Sequence, residues 1–210
     1  MGPTELIALA ASTSLLAGWR LYLVTFVTGL AMHFGWVALP AHLHQLDVLG
    51  SWWVIGAAGV GTLAEFFADK VQFVDSAWDA VHSFIRPLGG ALLALAIVDS
   101  GNPTWQALSF LLGGGAALLA HTGKAGARAM VNASPEPYSN IAVSAGEDVV
   151  TTGLMALAIA NPILAAVVAV FIVLGTGWLV YKARRFMRRV LAPFARKESA
   201  DPPMKNVTPS

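Results

Sequence analysis

The chain has 210 residues, 56% of them apolar and only 12% charged, with a mean hydropathy of +0.65. Soluble domains carry about 25% charge, so there is too little polar surface here to cover a water-soluble globule, and the composition points to an integral membrane protein. Cysteine is absent, which excludes disulfides, thiol catalysis and zinc–thiolate sites, and the net charge of +1 is unevenly spread, with eight of the thirteen Lys and Arg residues at or beyond Lys182.

A membrane-spanning helix needs about 20 mostly apolar residues. Residues 6–31 supply the first such run, interrupted once by Arg20. Nothing basic precedes Arg20 and no cleavage site follows the run, so no removable signal peptide is expected. A Leu39-Pro40 break and a polar stretch with His42, His44 and Asp47 lead to a second run over 48–68, clean until Glu65. Residues 69–86 read as too polar to face lipid. Within them, 74–86 is expected to be a short amphipathic helix ended by Pro87, since a residue before proline disfavours the α conformation. The apolar stretch 87–98 is short and is expected to borrow Phe84 and Ile85 to make a third span. Asp99-Ser-Gly-Asn-Pro103 is a turn signal, and 104–123 forms a clean fourth run. Residues 149–181 contain no charge and are split by Asn161-Pro162 into a fifth helix, starting near Ser139, and a sixth. The reading is an all-α, polytopic bundle of about six transmembrane helices.

The domain layout expected is a transmembrane body over 1–181, a basic juxtamembrane helix over 182–197 and a disordered tail over 198–210. Lys182, Arg184, Arg185, Arg188 and Arg189 belong in the cytoplasm by the positive-inside rule. Six spans then place both termini inside, in the inner cell membrane. Lys70, Arg86, Lys124 and Arg128 agree with that orientation if they lie in or near cytoplasmic loops. The basic segment is suited to anionic lipid headgroups, so the bilayer is the expected partner. Nothing supports nucleic-acid binding, and a homo-oligomer stays open.

The charges fall in helical patterns. Asp75, Asp79, His82 and Arg86 lie at i, i+4, i+7 and i+11, on one stripe, with Val74, Trp78, Val81 and Ile85 on its neighbour. Glu65 and Asp69 are four apart, with Lys70 beside them. His121, Lys124 and Arg128 form a cationic stripe; Asn140, Ser144, Glu147 and Thr151 form another polar one, with Asp148 adjoining. Asn132-Ala-Ser-Pro-Glu-Pro137 cannot be regular helix because two prolines remove amide donors. A faint echo joins Ala17-Gly18-Trp19-Arg20 to Ala125-Gly126-Ala127-Arg128. If it is a true repeat, the halves are three helices each and inverted in topology, an architecture many transporters use.

The strings Glu65-Phe-Phe-Ala-Asp-Lys70, Asp75 to Pro87, Lys124-Ala-Gly-Ala-Arg128, Asn132 to Asn140 and Glu147-Asp148 resemble an uncharacterised bacterial membrane family known as domain of unknown function 4126. The likeness runs over about residues 10–180 and implies a multi-pass membrane protein with no established activity. Residues 65–70 are also similar, with one extra residue and Ala68 in place of a glycine, to the signature of a cation-exchanger family built from inverted three-helix repeats.

A charge at mid-bilayer costs from about 2.5 kcal/mol upward and is usually paired or beside water. The plain reading is that Asp75, Asp79, His82 and Arg86 form salt bridges with Lys124 and Arg128 that hold the cytoplasmic ends of helices together, with Arg20 paired to Glu147 or Asp148, the glycines at 113–115 packing helices closely, Trp52 and Trp53 as interface anchors, and His42 and His44 solvated. Together, though, the carboxylates exceed what packing requires. The leading expectation is a small transporter or channel, for a cation with proton coupling, with an intramembrane site of Glu65, Asp69, Glu147 and Asp148. Asp79 and His82 would stand at its cytoplasmic entrance, and Asp75, Arg86, Lys124, Arg128 and Asn140 would complete the site. No cofactor is required beyond, at most, a divalent cation. The alternatives are a Mg²⁺-dependent enzyme acting on a lipid phosphate or diphosphate, using the two acidic pairs, and a structural scaffold.

Overall fold

A computed structural model describes residues 3–36, 48–98, 101–132 and 138–198. His42, His44, Asp47, the prolines at 135 and 137 and the tail from 199 lie outside the described residues. Among those described there are six α-helices: α1 (Pro3–His33), α2 (Trp52–Ala68), α3 (Gln72–Ile97), α4 (Pro103–Asn132), α5 (Tyr138–Ala160) and α6 (Pro162–Glu198). Four of them, α1, α3, α5 and α6, are long and apolar enough to cross a membrane, and they mark the chain as a multi-pass membrane protein. Helix α2 is apolar but has 17 residues. Helix α4, expected as a clean span over 104–123, is 30 residues long and is not among the four, since polar residues run through both its ends.

Helix α3 corrects the expectation of a short helix over 74–86 followed by a separate span. One helix runs from 72 to 97, straight through Pro87. Proline there costs a backbone hydrogen bond, but α3 is held along its length by α1 and α4, and tertiary packing of this kind can carry a proline inside a helix. Nor is the segment too polar for lipid. Its ionisable stripe is turned inward, with Asp75 and Arg86 at 0%, His82 at 3% and Asp79 at 6% exposure, while Val81 and Phe84 on the other side are 59% and 83% exposed. A helix with charges inside and hydrocarbon outside is suited to a bilayer, where the apolar solvent lies outside the protein.

Helix α1 is central and packs on each of the other five. It is not continuous: Arg20 has φ −141° and ψ 72°, outside the helical region, and breaks the rod in two. Small residues let α3 and α4 approach closely. A Cβ added at Gly90 would strike Ala117, and one at Gly113 would strike Ala94; Ser14 Oγ on α1 donates to the Gly90 carbonyl at 3.0 Å. Gly114 also faces α3, whereas Gly115 meets open space, so two of the three consecutive glycines serve close packing. Between α5 and α6, Asn161 caps the new helix, its Oδ1 accepting from the Leu164 amide at 3.0 Å, with Pro162 at the first helical position. Helix α6 then continues without interruption to Glu198, so the basic segment is an extension of the last helix.

The interior is divided lengthwise. Leu9, Leu16, Leu93, Ala94, Leu154 and Ala165 belong to apolar clusters around the first half of α1. The ionisable residues gather at the other end, around Arg20.

Candidate functional site

Five of the six helices, with the residues just after α2, bring eleven charged side chains to one end of the bundle: the carboxylates of Glu65, Asp69, Asp75, Asp79, Glu147 and Asp148, and the cations of Arg20, Lys70, Arg86, Lys124 and Arg128. They divide into three linked groups.

The first surrounds Asp69, which caps the C-terminus of α2 and is fully buried. Its carboxylate pairs with Arg20 and, at 3.2 Å, with Lys124. Arg20 reaches on to Asp148 at 2.9 Å and to the Ser144 carbonyl at 3.2 Å. Glu147 has only long contacts, 3.6 Å to Arg20 and 3.6 Å to Lys124, and its Oε2 accepts no hydrogen bond from the protein. Lys70 donates to Ser144 Oγ at 3.0 Å and lies 3.6 Å from Asp148. The break in α1 enters directly, because Lys124 Nζ also donates to the Trp19 carbonyl at 3.1 Å. Burial pushes the Asp69 carboxyl up, but Lys124, Arg20 and Arg128 outweigh it and hold the group below the usual carboxylate range.

The second group is centred on Arg86. It donates to Glu65 Oε1 at 2.7 Å, Asp79 Oδ1 at 2.9 Å and His121 Nδ1 at 2.8 Å. A guanidinium can only donate, so His121 Nδ1 must accept and its proton sits on Nε2. That proton is given to Ser83 Oγ at 3.0 Å, while the Ser83 hydroxyl donates to the Asp79 carbonyl at 2.9 Å. The same logic orients His82: Nδ1 lies 2.7 Å from the Trp78 carbonyl and must donate, leaving Nε2 to accept from the Tyr22 hydroxyl at 3.1 Å. Trp78 stacks on the His82 ring at 4.4 Å between centroids.

The third group joins α3 to α4. Arg128 donates to Asp75 Oδ1 at 2.9 Å and to the Asn140 carbonyl at 3.0 Å, and its other Nη2 contact is the Asp69 carbonyl. Asn132 donates to Asp75 Oδ2 at 2.7 Å, and Asn140 Nδ2 to the Asp69 carbonyl at 3.1 Å.

Ten of the eleven residues expected from the sequence are thus in this network, while His82 lies beside it, bonded to Tyr22 and the Trp78 carbonyl, and the grouping differs. Asp69 joins Glu147 and Asp148, whereas Glu65 belongs with Asp79 through Arg86. Asp79 and His82 are buried and do not stand at an open mouth. Arg86, Lys124 and Arg128 are not loop charges but buried groups paired with carboxylates, so they no longer argue for an orientation. Sequence reasoning left Arg20, Lys70, His121, Tyr22, Ser83 and Asn132 out of the site. For Arg20 the signal was present, a lone cation inside an apolar run; for Tyr22 and Ser83 no spacing could have shown it. Each carboxylate is faced by a cation, and among the described residues no group of three His, Cys, Asp or Glu side chains is placed to hold a metal ion.

No curated protein and no solved structure matches the chain. Residues 7–182 match the family described as a domain of unknown function, DUF4126. With most of its length, including every residue of the buried charge network, inside that match, the chain belongs to the DUF4126 family.

Proposed function

We propose that this protein is a small membrane transporter that moves a cation with proton coupling through the charged end of the bundle, with Glu147 as the carboxylate that takes and releases the proton. The observation that carries this reading is the break in α1 at Arg20, which turns a backbone carbonyl toward Lys124 beside Asp69, Glu147 and Asp148. Interrupted helices that offer backbone groups to an ion site near mid-membrane are a recurring device of secondary transporters. Glu147 is singled out because each of the other five carboxylates has at least one contact of 3.2 Å or less to a cation, whereas both of its contacts are 3.6 Å. Glu65 Oε2, Asp69 Oδ1 and Asn140 Oδ1 are buried acceptors with no hydrogen bond from the protein, as expected beside internal water or a mobile proton.

The finer topology belongs to the same proposal. Two inverted three-helix repeats, α1–α3 and α4–α6, would be related by Arg20 and Arg128, which both bind Asp69, one at its side chain and the other at its carbonyl. A cytoplasmic end for α6, against anionic headgroups, is supported by Lys182, Arg184 and Arg185, and an even number of passes would put the N-terminus on the same side.

Purified protein in liposomes loaded with a pH-sensitive dye is expected to move protons when a cation gradient is applied. Glu147→Gln is expected to abolish that flux while leaving thermal unfolding in detergent unchanged. Absence of flux from wild-type vesicles across the common monovalent and divalent cations would defeat the proposal. A scaffold is the second reading, favoured by the near balance of six carboxylates against five cations, and it predicts that Glu147→Gln alters neither partner co-purification nor stability. The lipid-phosphate enzyme draws least support, because Arg86 and Arg128 occupy the carboxylates of Asp79 and Asp75 that a Mg²⁺ ion would need.

A further inference from the structure

The packing around α1 fixes how it bends at Arg20. Leu9, near its start, and Met32, near its end, both pack into the apolar cluster that holds Ala94 and Ile97 at the end of α3. In a continuous rod those two residues would stand about 34 Å apart. Val24 likewise lies with Leu16, Leu93 and Leu154, level with the first half of α1 and not beyond it. Helix α2 agrees. A Cβ at Gly29 would meet Ile55, one at Gly59 would meet Phe26 and one at Gly61 would meet Tyr22, so α2 runs antiparallel to residues 21–33 and brings Asp69 back to Arg20. Residues 3–19 therefore run toward the charges and residues 21–33 return, as a hairpin with Arg20 at its tip.

We propose that this hairpin is re-entrant, and that its second arm is a lid over the charge network latched by Arg20. The arms span about 25 and 20 Å, each less than the roughly 30 Å of hydrocarbon in a bilayer. Both ends of α1 lie beside the start of α6, where Ala165 shares the cluster of Leu9, whereas Val180 and Arg184 of α6 meet Gly126 among the charges. With α1 not a pass, α2 to α6 supply five, and the two termini lie on opposite faces. The two arms are held unequally. Residues 12–20 are all buried, while most of 21–33 are only half-buried, so the second arm is the one free to move. Arg20 fastens it between Asp69 on one side and Asp148 and the Ser144 carbonyl on the other. A cation entering the network competes for those same carboxylates and so releases the tip. That last link rests on the transport reading; the hairpin does not.

The chain has no cysteine, so single-cysteine variants of the full protein report position without background. An impermeant maleimide is expected to label Thr4→Cys in either right-side-out or inverted membrane vesicles, and Arg185→Cys only in the other preparation. Labelling of both in the same preparation would overturn the hairpin. The latch is read at Thr151→Cys, a fully buried position on α5 between Asp148 and Leu154, which packs with Val24. A water-soluble methanethiosulfonate applied from the Thr4 face is expected to react about tenfold faster once Arg20→Gln is added, the effect of losing one charge-assisted hydrogen bond from the closed state. Asp148→Asn leaves α1 untouched and is expected to act in the same direction, which keeps the test open if Arg20→Gln does not fold. An unchanged rate in both variants would overturn the lid. Wild-type vesicles that give the expected labelling but move no cation would defeat the transport reading and leave the lid standing.

Discussion

Arg86 is the single cation that Glu65 and Asp79 share, and it also holds His121 in one tautomer. Replacing it with methionine keeps much of the volume but leaves two carboxylates buried without a partner. Loss of one side of a buried pair costs about 3–5 kcal/mol, so Arg86→Met is expected to lower the unfolding temperature of the detergent-purified protein markedly, and adding Glu65→Gln should restore part of it. Equal melting of Arg86→Met and wild type would show the triad to be energetically idle. The inward stripe Asp75, Asp79, His82 and Arg86 was legible in the sequence, because four ionisable residues at helical spacing cannot all face lipid. Their partners were legible in outline, since pairing with Lys124 and Arg128 was expected and Asp75 does meet Arg128. That Asp69 meets Arg20 across a gap of about fifty residues was not, because no local pattern encodes it.

Among the elements, the six helices and the Asn161-Pro162 junction followed from apolar run lengths and capping chemistry. The division at Pro87 did not, since propensity counts the missing amide but not the neighbours on both sides of α3. What holds that helix in place is contact between small residues, and this can be measured. Gly90→Val would drive a branched side chain into Ala117, an overpacking that costs about 1–3 kcal/mol or more, and is expected to reduce the folded, monodisperse fraction on gel filtration. Gly115→Ala meets no atom and is expected to raise stability by up to about 1 kcal/mol through helix propensity. If the two substitutions behave alike, the close approach of α3 and α4 is not what fixes the pair.

For the molecule as a whole, Asp69 is the point where α1, α2, α4 and α5 meet, and the cations around it lower its pKa. A carboxyl whose folded value lies below its unfolded one stabilises the fold fully above the ordinary carboxylate range, near 3.9, and loses that contribution as the pH drops toward the folded value. Wild type should therefore melt progressively earlier as the pH falls below about 4. Asp69→Asn should be less stable at pH 7 and show a flatter acid limb in the same melting series; a parallel limb would relocate the acid sensitivity to another group. The interrupted rod at the centre has its own consequence for such experiments. The oxygen that Lys124 reaches at residue 19 belongs to the peptide unit, so exchanging the indole for any other side chain leaves it in place. Mutational scanning across α1 would return Trp19 as dispensable to this contact, and a double-mutant cycle between Lys124 and Asp69 would leave a remainder that Glu147, the other side chain Lys124 meets, accounts for only in part. Only an ester in place of the amide that carries this oxygen, which weakens the acceptor without touching a side chain, would expose the missing partner.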